Sequence, residues 1–343
     1  MKGRMAVLGQ LAGREAAALV VDGALEELLV EAGADAPETI WRGKLGRPVK
    51  GLGGVFVELP DGMTGFLRQA RGLRPGQPLL VQAAGVAEPG KAVPLTDRLL
   101  FKGRFAILTP GAPGLNLSRS LRVEAERDRL TAVAAAAMQG APESLGLILR
   151  SAAAGAEAAA LAEEIGALRQ LAEAMLADTA GSPELLLEAP GPHALARRDW
   201  PAPDGIAEGP RAIAEHGVEE MVDALLRPEV PLDAGAFMAI EPTRALVAVD
   251  VNTGPDTSPA AGLKANLAAA RALPRALRLR GLGGQVTLDP APSPKRDRGT
   301  LEQALRAAFR RDGSETVLAG WTPLGHYELQ RRRDRQPLSE LLR

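Results

Sequence analysis

The residues with the clearest chemical potential are Asp250, Asn252 and Asp289. The run RALVAVDVNTG (244–254) is apolar until Asp250, alternates through Val251 to Asn252, and closes in a Thr-Gly turn. A second apolar run, GQVTLD, ends in Asp289. Side chains alternate along a strand, so Asp250 and Asn252 point the same way. A long helical stretch, about residues 259–280, separates the two runs and makes the pattern β-α-β. Such a crossover is right-handed and leaves its two strands parallel. Both aspartates then stand at C-terminal strand ends, where open α/β sheets hold their ligands. Neighbouring strands are about 4.8 Å apart, close enough for two carboxylates to share one ion whose oxygen ligands lie at about 2.1 Å. Oxygen-only donors point to Mg²⁺, with Mn²⁺ as a substitute. The competing reading makes each Asp an ordinary cap or turn residue. A second strand-tip aspartate after one crossover favours the site.

The rest of the chain must position these groups. With 343 residues and 46% hydrophobic content it can build two or three packed units. A net charge of −1 excludes a globally basic nucleic-acid binder and leaves any anionic partner to local patches. Cysteine is absent, which excludes disulfides, thiolate zinc sites and a cysteine nucleophile. That is compatible with a cytoplasmic location, the one expected. His193, His216 and His326 are too scattered for a His-rich metal site. No apolar run reaches the roughly 18 residues of a membrane span. The N-terminal stretch carries Gln10, Arg14 and Glu15 where a signal peptide would be apolar, and reads as strands.

Residues 4–30 read as a hairpin. Residues 40–85 alternate short apolar runs with Gly, Pro and Asp-Gly turns, the pattern of a small barrel. Phe56 and Phe66 flank its PDG turn in a chain with only 3% aromatics, and Phe56 shares a strand face with Glu58. Exposed there, they would stack on bases; the alternative buries them in the barrel core. Residues 89–110 are strand-like again, and two Ala-rich helices follow. Between them LGLILRSAA reads as a buried strand ending in Arg150 and Ser151. A guanidinium beside a hydroxyl can clamp a terminal phosphate; a plain surface salt bridge is the alternative. The stretch 190–235, rich in Pro and Gly, reads as a linker or an eroded part of a domain.

ALVAVDVNTG, ANLAAARALPRALRLRGLGGQVTLD and GLILRSAA together resemble the ribonuclease E/G family of bacterial endoribonucleases. The resemblance extends back through IWRGKLGRPVKGLGGVFVELPDGMTGFL and PGKAVPLTDRLLFKGRFAILTP. It implies an α/β multidomain fold. A ribonuclease-H-like scaffold (1–37, resumed in trimmed form at 184–230) would be split by an OB-fold insert (38–97). A 5′-end sensor region (98–183) and a DNase-I-like α/β catalytic unit (231–343) complete it. The resemblance further implies metal carboxylates at Asp250 and Asp289, with Asn252 beside the scissile phosphate. It implies 5′-monophosphate contacts at Arg150 and Ser151, with backbone help near Gly103 and Ile107. It implies RNA contacts at Phe56, Phe66 and Lys91. The substrate would be single-stranded RNA laid between OB-fold and metal, cut to leave 5′-phosphate and 3′-hydroxyl ends.

The chain also departs from the family's pattern. Pro292, Ala268 and Arg244 stand where acidic residues are usual, and no Cys-x-x-Cys zinc link is possible. The expectation is therefore Mg²⁺ or Mn²⁺ without zinc, in a monomer or a small homo-oligomer. An RNA-binding relative with decayed catalysis is the main alternative. A metal-dependent phosphatase or ATPase would explain the aspartates but not the barrel.

Overall fold

The computed structural model describes residues 2–49, 51–68, 72–88 and 90–343. The mixed α/β chain divides into two compact units, Gly33–Ala202 and a discontinuous one of Met1–Ala32 with Pro203–Arg343. The discontinuous unit opens with β1 (Arg4–Leu11), β2 (Arg14–Val21) and β3 (Ala24–Val30), paired antiparallel in sequence order. The hairpin expected over 4–30 is thus a three-stranded meander. Its two turns, Ala12-Gly13 and Asp22-Gly23, have positive φ at both positions, the type I′ geometry that two-residue hairpin loops favour.

In Gly33–Ala202, five strands close a barrel: β4 (Ile40–Val49), β5 (Gly54–Glu58), β6 (Thr64–Arg68), β7 (Pro78–Ala83) and β8 (Val93–Thr96). Their order β4-β5-β6-β8-β7, with β7 returning to β4, is that of an OB-fold. Trp41, Leu45, Val55, Val57, Leu67 and Val81 fill its interior. A four-stranded sheet follows, built from β9 (Phe101–Lys102), β10 (Ala106–Pro110), β11 (Leu115–Leu117) and β12 (Leu145–Leu149). Two helices, α1 (Glu124–Ala137) and α2 (Ala158–Ala177), bury Leu130, Leu161 and Ile165 with Leu108, Leu147 and Leu149 of that sheet.

The stretch 184–230, expected as one continuation of the scaffold, is divided. The strand β13 (Glu184–Leu187) pairs with barrel strand β4, and α3 (Pro192–Asp199) stays in the same unit. The strand pairing, the packing of Leu186 and Leu187 and the ion pairs of Arg42 hold β13 there. Arg42, a barrel residue 5% exposed, ion-pairs with Asp178 and Glu184 and donates from Nε to the Ser182 carbonyl at 3.0 Å. Only after Ala202 does the chain return to the discontinuous unit, where β14 (Gly205–Glu208) adds parallel to β1. The helices α4 (Ala212–Glu215) and α5 (Val218–Leu226) then pack Ile213, Val218 and Val222 against Val7, Ala16 and Ala18. This makes a sheet of three antiparallel strands with a parallel fourth, in the order β14-β1-β2-β3.

The chain ends in a six-stranded sheet of order β15-β16-β17-β18-β20-β19. Its strands are β15 (Glu229–Pro231), β16 (Phe237–Pro242), β17 (Val247–Asn252), β18 (Gly284–Asp289), β19 (Thr316–Trp321) and β20 (Tyr327–Arg331). Only β17 and β18 run parallel, joined by the crossover helix α6 (Ala261–Leu279); α7 (Arg298–Arg311) follows β18. Both helices pack on one face, where Val249, Val251, Val286 and Leu288 meet Ala269, Leu273, Leu305 and Phe309. A short α8 (Leu338–Leu341) closes the chain. Among the described residues no helix is long and apolar enough to cross a membrane.

Arg42→Met should test the anchoring of β13. Its two carboxylate partners are half-exposed, so the loss should fall below that of a fully buried pair, at about 1–3 kcal/mol. Thermal or urea unfolding should show an earlier transition. An unchanged midpoint would mean that β13 is held by its apolar contacts alone.

Candidate active site

Asp250 and Asp289 are register partners in the parallel β17–β18 pair. Both are exposed, on the sheet face opposite to the one that buries Val249 and Leu288 under α6 and α7. Asn252, two residues beyond Asp250, shares that face and donates from Nδ2 to Asp250 Oδ2 at 2.7 Å. The three residues singled out from the sequence are therefore brought together. The Thr-Gly turn after Asn252 has a steric cause. Gly254 has φ +61°, and a Cβ there would sit 2.0 Å from the Gly235 carbonyl oxygen.

The loop after Asp289 is pinned from α6. Asn266, 1% exposed, donates from Nδ2 to the Ala291 carbonyl at 2.9 Å and accepts from the Ala291 N–H at 2.8 Å. One turn earlier Gly262 lets the same loop approach, since a Cβ would lie 1.9 Å from the Pro292 carbonyl oxygen. A further residue joins the site from outside the sequence reading. Leu288 pairs with Tyr327 in the antiparallel β18–β20 ladder, and His326, just before that strand, brings Nε2 to 3.7 Å from Asp289 Oδ1. Nothing in the sequence marked His326, because its approach depends on β20 returning beside β18.

The aspartates offer carboxylate oxygens, donors that suit a hard divalent cation such as Mg²⁺. Among the described residues no three His, Asp or Glu side chains converge as a ready-made cage. The residues fit an ion held by two carboxylates, with water and substrate completing its shell.

The residues of the expected 5′ sensor lie within Gly33–Ala202. Arg150 follows β12 and Ser151 opens a short helical turn. Arg150 donates from Nη1 to the Gly103 carbonyl at 2.6 Å, and its Nη2 lies 2.7 Å from Asp199 Oδ1. Gly103 and Arg150 therefore meet, whereas Ile107 lies in the sheet opposite Lys102 and Ile148. Glu164 of α2 takes the backbone N–H groups of Arg104, Phe105 and Ala106 at 2.7–3.0 Å. Asp199 is held in turn by Arg198, which chelates Glu38, and Glu38 reaches Lys102 at 3.0 Å. Burial opposes ionisation of both acids, but Arg198 outweighs it and holds Glu38 and Asp199 below the usual carboxylate range. Glu38, Glu164 and Asp199 carried no signal in the sequence, because their partners are remote in the chain.

On the barrel, Phe56 and Phe66 are register partners on the outer surface, their rings edge to face with centroids 5.4 Å apart. Phe56 is 39% exposed and neither ring belongs to the barrel core. Lys91 is exposed and ion-pairs with Glu88 at 2.7 Å.

The sequence profile of the ribonuclease E/G family matches residues 101–204 and 206–334. Ribonuclease E of Nostoc sp. (strain PCC 7120 / SAG 25.82 / UTEX 2576) is 28% identical, over 95% of this chain and 55% of its own length. Ribonuclease G of Escherichia coli (strain K12) is 25% identical, over 95% of this chain and 79% of its own length. Ribonuclease E of Escherichia coli (strain K12) is 27% identical, over 88% of this chain and 34% of its own length. The chain thus spans about half the length of the Nostoc relative.

Asn266→Ala should leave both backbone groups of Ala291 unpaired in a buried place. The expected loss is about 1–3 kcal/mol of stability, with faster exchange of the Ala291 amide. Unchanged exchange would show that the loop after Asp289 is held without Asn266.

Proposed function

The chain belongs to the ribonuclease E/G family, and on that premise we propose that it is a metal-dependent endoribonuclease of single-stranded RNA. The observation that carries this reading is the register of Asp250 with Asp289 on parallel neighbouring strands, with Asn252 bonded to Asp250. Asp250 and Asp289 would hold a divalent cation, Mg²⁺ or in its place Mn²⁺. When bound, such an ion supplies a nucleophile at neutral pH and counter-charge for the phosphate. The chain's own residues do the positioning. Asn252 fixes the Asp250 carboxylate and leaves its amide oxygen to accept from and orient a water. Asn266 keeps the loop after Asp289 in place, and with it the second carboxylate. In-line cleavage would leave a 5′-phosphate and a 3′-hydroxyl.

Substrate binding would draw on the barrel. Its exposed Phe56 and the adjoining Phe66 suit base stacking, which tolerates any sequence. Lys91 would add a phosphate contact by exchanging Glu88 for RNA. Arg150 and Ser151 would receive a 5′-monophosphate and favour it over a 5′-hydroxyl. The second reading is an RNA-binding relative without catalysis. It is favoured by Pro292, Ala268 and Arg244, which stand where the family's members usually carry acidic residues.

Asp250→Asn and Asp289→Asn should each abolish Mg²⁺-dependent internal cleavage of a single-stranded RNA, with binding in chelator largely retained. Phe56→Ala should weaken that binding by about 1–3 kcal/mol per lost stack while the chain stays folded. Binding without any cleavage by the unaltered chain would favour the second reading, and full activity in the double aspartate variant would remove the metal assignment.

A further inference from the structure

We propose that Asp199 sets how strongly this chain discriminates RNA 5′ ends, by competing as a built-in anion with a terminal phosphate for Arg150. The inference rests on the reading that Arg150 and Ser151 receive the 5′ phosphate. A guanidinium attracts a phosphate through its charge and its paired N–H donors. Here Nη1 of Arg150 is engaged by the Gly103 carbonyl at 2.6 Å, and Nη2 by Asp199 Oδ1 at 2.7 Å. An incoming phosphate therefore meets a guanidinium whose two terminal nitrogens are already engaged, and a carboxylate that repels it.

Asp199 is not a loose surface acid. Arg198 donates to both of its oxygens, from Nε at 3.1 Å and from Nη2 at 2.8 Å. Arg198 is itself fixed by Glu38, which accepts from Nη1 at 2.6 Å and from Nη2 at 2.9 Å. Glu38 is held with φ +83°, a left-handed backbone that a non-glycine residue adopts only when its surroundings demand it. Lys102, Arg198 and Arg150 are thus linked in one chain of ion pairs with Glu38 and Asp199. Three cations against two anions leave a single excess positive charge. Without the Asp199 charge the excess would be two, which matches a phosphomonoester of about −1.5 to −2.

The neighbouring backbone points the same way. Glu164 occupies the N–H groups of Arg104, Phe105 and Ala106. A phosphate arriving there finds internal carboxylates on both the guanidinium and the adjacent amides. Asp199 is thus a specificity-determining residue: its charge holds the 5′-monophosphate preference down without touching Asp250 or Asp289.

The test is the binding of one single-stranded RNA, carrying either a 5′-monophosphate or a 5′-hydroxyl, by the full chain in chelator. Fluorescence anisotropy would be read for the unaltered protein, Asp199→Asn, Asp199→Ser and Arg150→Ala, each checked for folding by thermal unfolding. Asp199→Asn, or Asp199→Ser should the first variant unfold, is expected to raise the monophosphate-to-hydroxyl affinity ratio about tenfold, the size of one modest charged hydrogen bond. Arg150→Ala is expected to bring the ratio to one. An unchanged ratio in a folded Asp199 variant, with the preference still lost in Arg150→Ala, would overturn the competitor role and keep the sensor. A fall in the ratio would instead make Asp199 a support for Arg150 and also overturn the proposal. A ratio of one in every protein would remove the sensor reading itself.

Discussion

The parallel register of β17 and β18 is the constraint on which the acidic pair depends, and α6 is what enforces it. A crossover helix is needed to bring two strands side by side in the same direction. At its N-terminal half Gly262 and Asn266 fasten the loop that follows Asp289. At its other end Arg275 donates to the Leu25 carbonyl at 2.9 Å, and Arg278 lies against Glu26, Glu27 and Asp312. The helix thereby ties β3 of the first sheet to the last sheet within one unit. Buried ion pairs of this kind add little net stability, but breaking one strands its partner's charge. The Asp312 side chain is 1% exposed and is shared by Arg278 and Arg331, so the network acts more as a register pin than as a source of free energy.

The Gly33–Ala202 unit uses charge differently. Arg42 fastens β13 to the barrel with two half-exposed acids, and the chain from Lys102 to Arg150 alternates cation and anion across segments remote in sequence. In both places acidic side chains meet the needs of arginines and free amides from within the fold. That economy explains how a chain with a net charge of −1 can still offer local cationic sites. It also makes each such site responsive to loss of a single internal acid.

The juxtaposition of Asp250, Asn252 and Asp289 was legible in the sequence because the signal is local. A two-residue alternation put Asn252 beside Asp250, and one crossover put Asp289 opposite. The barrel was legible for the same reason, since its Gly, Pro and Asp-Gly turns mark every reversal. Long-range partnerships were not legible. His326 reaches Asp289 only because β20 returns beside β18, and Asp199 reaches Arg150 across a helix and a strand. The division of 184–230 was hidden because β13 pairs with, and is ion-paired to, a barrel strand remote in sequence. The third strand within 4–30 was there to be read in the Asp22-Gly23 turn.

Whether Asp250 and Asp289 together hold one divalent ion can be measured directly. Electron paramagnetic resonance of Mn²⁺, titrated into the unaltered chain and into the Asp250→Asn/Asp289→Asn double variant, tests it without relying on cleavage. The expected result is a bound ion in the unaltered chain, seen as loss of the free-Mn²⁺ signal, and no such loss at the same concentrations in the variant. Equal Mn²⁺ binding by the two proteins would contradict the shared site.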